Sequence, residues 1–427
     1  KEISFKKLHR YSPKQVIKLN HSGMPDGERE CSICHRHDYL KDGETECEIC
    51  WTLKQMSGNI LKGDFFTVTS KKEKTCLPLP GNCYLVTDTE STLRKRMKED
   101  KYYIRSYSKN KPYSGYYVST KLWVGDYVNG ETFEELGQRA TGIERIAVMR
   151  ADVDNLGQAF VRGFENEKNG SKYVTLSRTA TFSRKLSMFF KYHINSLLKE
   201  GGYSILEEEA QMEKEDDRRN ALIVYSGGDD IFIVGAWDDI IGFAVDLHDN
   251  LMEYSQDTLK ISAGIGIYPS KYPISIMARE TGWLEEAAKS VEGKNAVALF
   301  DEKYTFPWEE FIENVVEEKL YFIQKYFKVV DEKGKNFLYN LLELVRKRKG
   351  DKINIARFAY LLGRMEPKVQ RGEKKEEIEE KRDLHREFSR KMYEWIRVEK
   401  DAKELEMAIY LYVYTKREKE EHDGVNE

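Results

Sequence analysis

The chain has 427 residues, which is enough for two to four domains with a sizeable core. Its formal net charge is -3 and its pI is about 6.4, which excludes an overall positive field for nucleic acid and leaves only local basic patches for that purpose. No hydrophobic run could span a bilayer and no secretory signal opens the chain, so we expect a cytoplasmic protein. Because the first residue is Lys1 rather than Met, we expect the later part of a longer protein.

Four of the six cysteines follow a metal-ligand spacing after a polar lead-in. Two Cys-x2-Cys pairs separated by twelve residues can place four thiolates around one tetrahedral zinc ion. Disulfides are a poorer explanation in a cytoplasmic chain. Four thiolates leave no open position for a substrate, so the predicted zinc is structural. The predicted ligands are Cys31, Cys34, Cys47 and Cys50.

Residues 65–140 contain Thr- and Tyr-rich runs punctuated by Gly, Pro and Asn, a pattern that predicts a mixed β region. Tyr and basic residues alternate from Lys101 to Lys121. This alternation fits a nucleic-acid face with aromatic stacking beside phosphate contacts, or an amphipathic sheet with one wet side, and we favour the sheet. The expected strands are 65–68, 83–86, 102–104 and 116–128, with a basic helical turn at 92–98.

Residues 141–304 show the element order of a ferredoxin-like, or palm, domain, in which the first strand lies beside a hairpin. A charged run at 206–219 interrupts the order and is expected to be a mobile surface insertion. The expected strands are 146–149, 222–226, 231–234, 261–268 and 296–300, and the expected helices are 176–199, 238–254 and 276–289.

The hairpin of this domain carries Gly227, Gly228, Asp229 and Asp230 between two apolar runs. The two glycines are expected to supply positive φ angles and to leave backbone N–H groups open to a ligand. Adjacent carboxylates at a turn repel each other, so a hard divalent cation such as Mg²⁺ or Mn²⁺ is the natural ligand. The alternative is a solvated hairpin tip, where Asp is common for other reasons.

An upstream aspartate strengthens the metal interpretation. Asp152 ends the first strand, which a palm places beside the hairpin. We therefore predict that Asp152 and Asp230 bridge the metals and that Asp229 assists. Val153 is expected to add its backbone carbonyl. Asp154 is a candidate nucleotide-binding residue, but we expect it to point away from Asp152.

Other residues near this hairpin are candidates for holding a nucleotide. Asn155 and Gly157 begin the turn after the first strand, where backbone N–H groups can hold phosphate. Lys289 and Lys294 could reach the β- and γ-phosphates, although lysines near a helix end are also favourable for dipole reasons alone. Ser262 is a candidate for contacting a base, yet small residues in a packed sheet need no such role.

From Pro307 onward the apolar spacing is helical and predicts a helical bundle. The predicted fold class is α+β, with a zinc ribbon, a ferredoxin-like palm of the cyclase type and a C-terminal helical bundle. The predicted domains are 1–64 (lead-in and zinc ribbon), 65–140 (mixed β region), 141–304 (palm) and 305–427 (helical bundle).

Taken together, these motifs resemble the large subunit of type III CRISPR effector complexes, specifically of subtype III-A (Csm). No single motif is decisive, but their order and spacing match over nearly the whole chain from the ribbon onward. The matching parts are the four-cysteine ribbon, Ser119–Asp126, Arg150–Gly157, Tyr225–Asp230 and Gly293–Asn295.

The resemblance implies a role in RNA-guided antiviral defence. It implies a nucleotidyltransferase that binds ATP and, when target RNA is bound, makes cyclic oligoadenylate by attack of a ribose 3′-hydroxyl on an α-phosphate. Asp229 and Asp230 match the family's metal-binding catalytic pair. The implied partners are guide RNA, target RNA, a small helical subunit and a subunit that binds the 5′ end of the guide.

The same family also has an HD-type nuclease domain that cuts single-stranded DNA, and a first palm, and neither pattern is visible in this sequence. We interpret His37-Asp38, His248-Asp249 and His422-Asp423 as chance pairs and expect no DNase site. With one palm, the isolated chain is expected to bind nucleotide weakly and to cyclise poorly.

Two other functions are open. A diguanylate cyclase shares the palm and a similar turn, but the zinc ribbon and the helical tail argue against it. A non-catalytic scaffold for RNA and neighbouring subunits is the second alternative. Carboxylates at all three expected positions argue against a palm that has lost its function.

Overall fold

The computed structural model describes residues 30–34, 44–111, 119–130, 132–165, 170–207, 211–212, 218–330, 336–348, 353–367 and 375–417. The predicted lead-in, His37-Asp38 and His422-Asp423 lie outside these residues. Within the described part, the chain divides into two compact units, residues 1–124 and 125–427. No helix that the structure describes is long and apolar enough to cross a membrane.

The first unit holds the cysteine cluster and a five-stranded sheet of order β2-β3-β1-β4-β5. Strand β1 is central and antiparallel to β3 and β4, and its five residues are all buried. The elements are α1 (Glu48–Lys62), β1 (Phe65–Thr69), β2 (Leu77–Leu79), β3 (Cys83–Asp88), α2 (Glu90–Glu99), β4 (Tyr103–Lys109) and β5 (Thr120–Leu122).

The prediction of a strand at 116–128 is wrong for most of the described residues of this range, because strand structure covers only Thr120–Leu122. Residues 116–118 lie outside the described part. The Asn110 side chain explains the end of β5. Its amide donates to the Val124 carbonyl and its oxygen accepts from the Val124 N–H, both at 2.8 Å. A side chain thus takes the backbone groups that a continuing strand would pair.

The second unit is built on a six-stranded sheet of order β11-β10-β9-β6-β8-β7. Strand β6 lies between β8 and β9 and is antiparallel to both, so the first strand does lie beside the hairpin as predicted. The strands are β6 (Ile146–Val153), β7 (Ala221–Ser226), β8 (Asp230–Ala236), β9 (Ile261–Tyr268), β10 (Ala296–Leu299) and β11 (Thr305–Pro307).

Helices cover this sheet and bury its central strands. The helix predicted at 176–199 is continuous but contains one π-helical turn, Phe189–His193. The helices are α3 (Phe133–Arg139), α4 (Leu156–Arg162), α5 (Leu176–Met188), α6 (Ile194–Glu200), α7 (Trp237–Ser255) and α8 (Ile274–Ser290).

The charged run at 206–219 is only partly described, and its end is not a surface insertion. The Arg219 side chain is buried and donates to Asp246 Oδ2 at 2.5 Å and to the Tyr203 carbonyl at 2.6 Å. Because the guanidinium meets its carboxylate inside the protein, the prediction from composition is wrong at this residue.

The C-terminal part is helical after β11 and packs into the same hydrophobic core as the sheet. A buried ion pair crosses it, with Lys319 Nζ 2.6 Å from Glu404 Oε2. The predicted α+β class with a palm and a helical C-terminal region is confirmed, while the four domain boundaries stay predictions. The elements are a π-helical segment (Glu310–Leu320), α9 (Tyr321–Val329), α10 (Asn336–Lys347), α11 (Ile353–Gly363), α12 (Lys375–Arg397) and α13 (Glu399–Lys416).

Candidate active site

The three predicted catalytic carboxylates lie at one edge of the second sheet. Strand register places Asp152 of β6 directly opposite Asp230 of β8, and opposite Ser262 of β9 on the other side. Residues directly opposite on antiparallel strands have Cβ atoms about 5 Å apart and side chains on the same face. Asp229 lies at the hairpin tip, where its carbonyl accepts a hydrogen bond from the Val153 N–H at 3.1 Å. The fold therefore brings the three aspartates together.

The electrostatics of this edge favour a cation. Burial raises the pKa of Asp229 and of Asp230, and the neighbouring charge of Asp152 raises both further. Ionised carboxylates that crowd one another are stabilised by a positive ligand, and oxygen donors suit Mg²⁺ or Mn²⁺. The residues present thus fit a hard divalent metal.

The structure places a cation of the protein itself at this edge. Lys289 Nζ donates to Asp152 Oδ2 at 2.5 Å and to Glu285 Oε1 at 2.6 Å. Burial lowers the pKa of Lys289, but the hydrogen bonds to Asp152 and Glu285 outweigh it and leave the pKa raised. Sequence reasoning found Lys289 and missed Glu285. The signal that could have found Glu285 is its position four residues before Lys289 on the same predicted helix.

The Asp154 carboxylate is held by hydrogen bonds from β9 and from the turn before β10. Alternation would place it on the same face as Asp152, two residues earlier, but β6 ends at Val153. Asp154 is buried and accepts hydrogen bonds from the Ser262 hydroxyl and from the Asn295 N–H, each at 2.9 Å. Ser262 is fully buried, so its side chain is out of reach of a base in this structure.

The turn after β6 and the turn before β10 meet at the surface. Lys294 Nζ donates to Asn155 Oδ1 at 2.9 Å. Asn155 and Lys294 both have a φ of 54°, and Gly293 between α8 and β10 has a φ of 81°. At Gly157 a Cβ would meet nothing within 4 Å, so the space beside this residue is open. The phosphate contacts predicted for these residues stay predictions.

The two hairpin glycines do not have the positive φ angles that we predicted. A Cβ at Gly227 would lie 2.3 Å from Asp230 Oδ1, whereas a Cβ at Gly228 would come no closer than 3.7 Å to Ser187 Oγ. The glycine at 227 is therefore required by close approach of a carboxylate rather than by backbone conformation.

The four predicted zinc ligands form a compact cluster in the first unit. Their four Sγ atoms all lie within 4.8 Å of one another. Backbone hydrogen bonds, chiefly from Cys34 and then Cys47, lower the pKa of Cys31 to about 6, as suits a thiolate ligand. The donor set fits a tetrahedral zinc ion. Among the described residues, no other group of three or more Cys, His or acidic side chains is gathered this closely, so the three palm aspartates are more widely spaced than the four sulfurs.

Two family models match the second unit. One, for the second palm domain of Cas10/Cmr2, matches residues 145–298. The other, for the second helical domain of the Cmr2 subunit of the CRISPR RNA silencing complex, matches residues 324–418. The first match spans all three aspartates and Lys289.

Three curated relatives match nearly the whole chain. The chain is 42% identical to the single-strand-specific deoxyribonuclease Cas10/Csm1 (subtype III-A) of Mycobacterium tuberculosis, over 98% of this chain and 50% of that protein. It is 39% identical to the same-named protein of Streptococcus thermophilus, over 96% of this chain and 50% of that protein. The chain thus spans about half the length of the curated relatives it matches.

Solved structures share the fold. A Csm1–Csm4 cassette in complex with cA4 aligns with a TM-score of 0.59 at 22% identity, covering 88% of this chain and 50% of that chain. Csm1 of T. onnurineus aligns with a TM-score of 0.59 at 24% identity, covering 84% of this chain and 49% of that chain.

Proposed function

The chain belongs to the Cas10/Csm1 family of subtype III-A, and we propose that its palm joins ATP molecules into cyclic oligoadenylate. The observation that carries the proposal is the placement of Asp152 opposite Asp230, with Asp229 at the adjoining hairpin tip. This geometry lets carboxylates from two strands act on one substrate, as metal-dependent phosphoryl transfer needs.

The chemistry begins with the carboxylates, which would hold two Mg²⁺ or Mn²⁺ ions. When bound, such ions supply charge for activating a 3′-hydroxyl and for stabilising the leaving pyrophosphate. Asp152 and Asp230 lie directly opposite each other and would bridge the two ions. Asp229 would assist from the hairpin tip, which the hydrogen bond from the Val153 N–H to the Asp229 carbonyl holds beside β6.

The triphosphate end of ATP would lie toward Lys289 and Lys294. Lys289 is beside Asp152, and Lys294 is beside Asn155, at the turn that follows β6. Two ammonium groups near the same turn are suited to the charge that develops on a departing pyrophosphate. The open space at Gly157 leaves room for a phosphate to approach the backbone.

The partners follow from the family and belong to the same proposal. The chain would work inside a complex with guide and target RNA, a small helical subunit and a subunit that binds the 5′ end of the guide. Several solved structures that share the fold are Csm1–Csm4 cassettes, among them complexes with ATP, pppApA and cA4. Single-stranded DNA would be the substrate of a nuclease domain elsewhere in the whole protein. The cysteine cluster would hold a structural zinc ion.

The test is product analysis with ATP and Mg²⁺ or Mn²⁺, for the chain alone and for a reconstituted guide complex with target RNA. Cyclic adenylates that disappear in an Asp229→Ala, Asp230→Ala variant are the expected result. GTP is offered in parallel, because preferential use of GTP would indicate a diguanylate-cyclase-like enzyme. An assembled complex that leaves ATP untouched would refute the proposal and favour the scaffold function.

A further inference from the structure

Lys289 lies between two carboxylates that have different surroundings. Asp152 is about a quarter exposed, at 28% of its side-chain surface, while the Glu285 side chain is only 10% exposed. The ammonium is 2.5 Å from the first and 2.6 Å from the second. Asp152, the proposed metal ligand, is thus accessible from solvent, whereas Glu285 anchors Lys289 from the buried side.

The anchor is fixed by its own contacts. Arg150 Nε lies 3.1 Å from Glu285 Oε2, so Glu285 is held between Arg150 and Lys289. Helix α8 approaches β9 so closely that a Cβ at Gly264 would lie 2.4 Å from the Glu285 backbone nitrogen. A Cβ at Gly282 would lie 2.8 Å from Arg150 Nη1. These contacts fix the position of Glu285, whereas the Asp152 end of Lys289 has solvent beside it.

From this arrangement we infer that Lys289, anchored by Glu285, competes with a divalent metal for the Asp152 carboxylate and is released toward the triphosphate when the metal binds. The inference rests on the proposed function, because it concerns the same metal site. An ammonium and a divalent cation on the same carboxylate repel each other and share its negative charge, so binding of the metal weakens the contact between Lys289 and Asp152.

The anchor decides where the released ammonium goes. Glu285 precedes Lys289 by one helical turn, so the ion pair between them survives when Asp152 is taken by a metal. The ammonium stays beside the site with one free side, which a phosphate oxygen can use. Metal and nucleotide binding then reinforce each other, and by linkage the reinforcement is the same in both directions.

The test measures binding by the full chain, loaded with zinc, rather than turnover. Free Mn²⁺ is followed by electron paramagnetic resonance, and binding of a non-hydrolysable ATP analogue is followed by calorimetry. Lys289→Met is expected to bind Mn²⁺ roughly two- to fivefold more tightly than wild type, since a partly exposed ion pair is lost. The same variant is expected to bind the ATP analogue more weakly. A residue with a merely structural role would weaken both.

The matched control is Lys294→Met, which removes the same charge nearby but breaks a contact with the Asn155 amide oxygen instead of a carboxylate. Its Mn²⁺ affinity is expected to stay close to wild type. Unchanged or weaker Mn²⁺ binding by Lys289→Met, or equal tightening in both lysine variants, would overturn the inference.

An Asp152→Asn, Asp230→Asn variant separates this inference from the proposed function. If it loses Mn²⁺ binding while Lys289→Met behaves as wild type, the metal site stands and the competition is refuted. If it binds Mn²⁺ as well as wild type does, the metal site itself is refuted, and the inference with it. Circular dichroism melting curves exclude unfolded variants from the comparison.

Discussion

Gly227→Ala is the substitution that most directly tests the geometry of the hairpin. A Cβ at this position would lie 2.3 Å from Asp230 Oδ1 and 3.3 Å from the Tyr225 ring. Since carbon–oxygen contacts below about 3.0 Å are essentially never seen for real Cβ atoms, the carboxylate must retreat by roughly 0.7 Å or more. A misplacement of this size at a reacting centre costs roughly 10- to 100-fold in rate.

The matched control is Gly228→Ala, whose Cβ would make only an ordinary contact, 3.7 Å from Ser187 Oγ. Neither glycine has a positive φ, so alanine strains neither backbone, and both variants should unfold within about 1 kcal/mol of wild type. The assay is the rate of cyclic adenylate formation in the reconstituted complex, with urea unfolding measured beside it. Equal rates for the two variants would refute the close-approach explanation, as would a large loss of stability confined to Gly227→Ala.

Further predictions concern stability and metal content. Asp154→Ala is expected to lower the free energy of unfolding in urea by about 2–4 kcal/mol, because a buried hydroxyl and a backbone N–H lose a charged acceptor; a loss below about 0.5 kcal/mol would contradict this. Lys319→Met leaves Glu404 buried without its 2.6 Å partner and should lower the free energy of unfolding by about 3–5 kcal/mol in the same urea titration. An unchanged free energy of unfolding would contradict this and would indicate that water replaces the ammonium. Cys31→Ser should reduce zinc, measured by plasma mass spectrometry, from about one ion per chain to a small fraction of that, and an unchanged content would rule out the cluster as the zinc site. Asp229→Asn should raise the melting temperature slightly at pH 7, because burial and the Asp152 charge raise the pKa of the carboxyl, so that its ionised form costs stability above that pKa. The gain should vanish as the pH falls through the pKa, and equal melting temperatures at pH 7 would contradict this cost.

Local patterns were sufficient to predict most elements of the palm. The strand predicted at 261–268 is found with the same bounds, and the helix predicted at 238–254 differs by one residue at each end. Long apolar runs with clear periodicity leave little choice of structure. The pairing of Asp152 with Asp230 also followed, because the palm order fixes which strands are neighbours.

Long-range side-chain contacts account for what sequence reasoning missed. Asn110 ends β5 by binding Val124, and the burial of Arg219 depends on a carboxylate far along the chain, Asp246. The β11 strand (Thr305–Pro307) was not predicted, and it forms at the start of the predicted helical domain because it pairs with β10. No periodicity in a short segment signals such a partner.

The position of Asp152 in the proposed site is set by hydrogen bonds of the two residues that follow it, one toward the hairpin tip and one toward β9 and β10. On one side the next residue, Val153, donates its N–H to the Asp229 carbonyl, which fixes the hairpin tip against β6. On the other side Asp154 joins the end of β6 to Ser262 in β9 and to Asn295 at the start of β10. These hydrogen bonds hold the hairpin tip, β9 and the start of β10 around the end of the strand that carries Asp152. We therefore expect substitutions at Asp154 to act through the position of Asp152, with a loss of stability, and substitutions at Lys289 to change ligand binding while the fold stays intact.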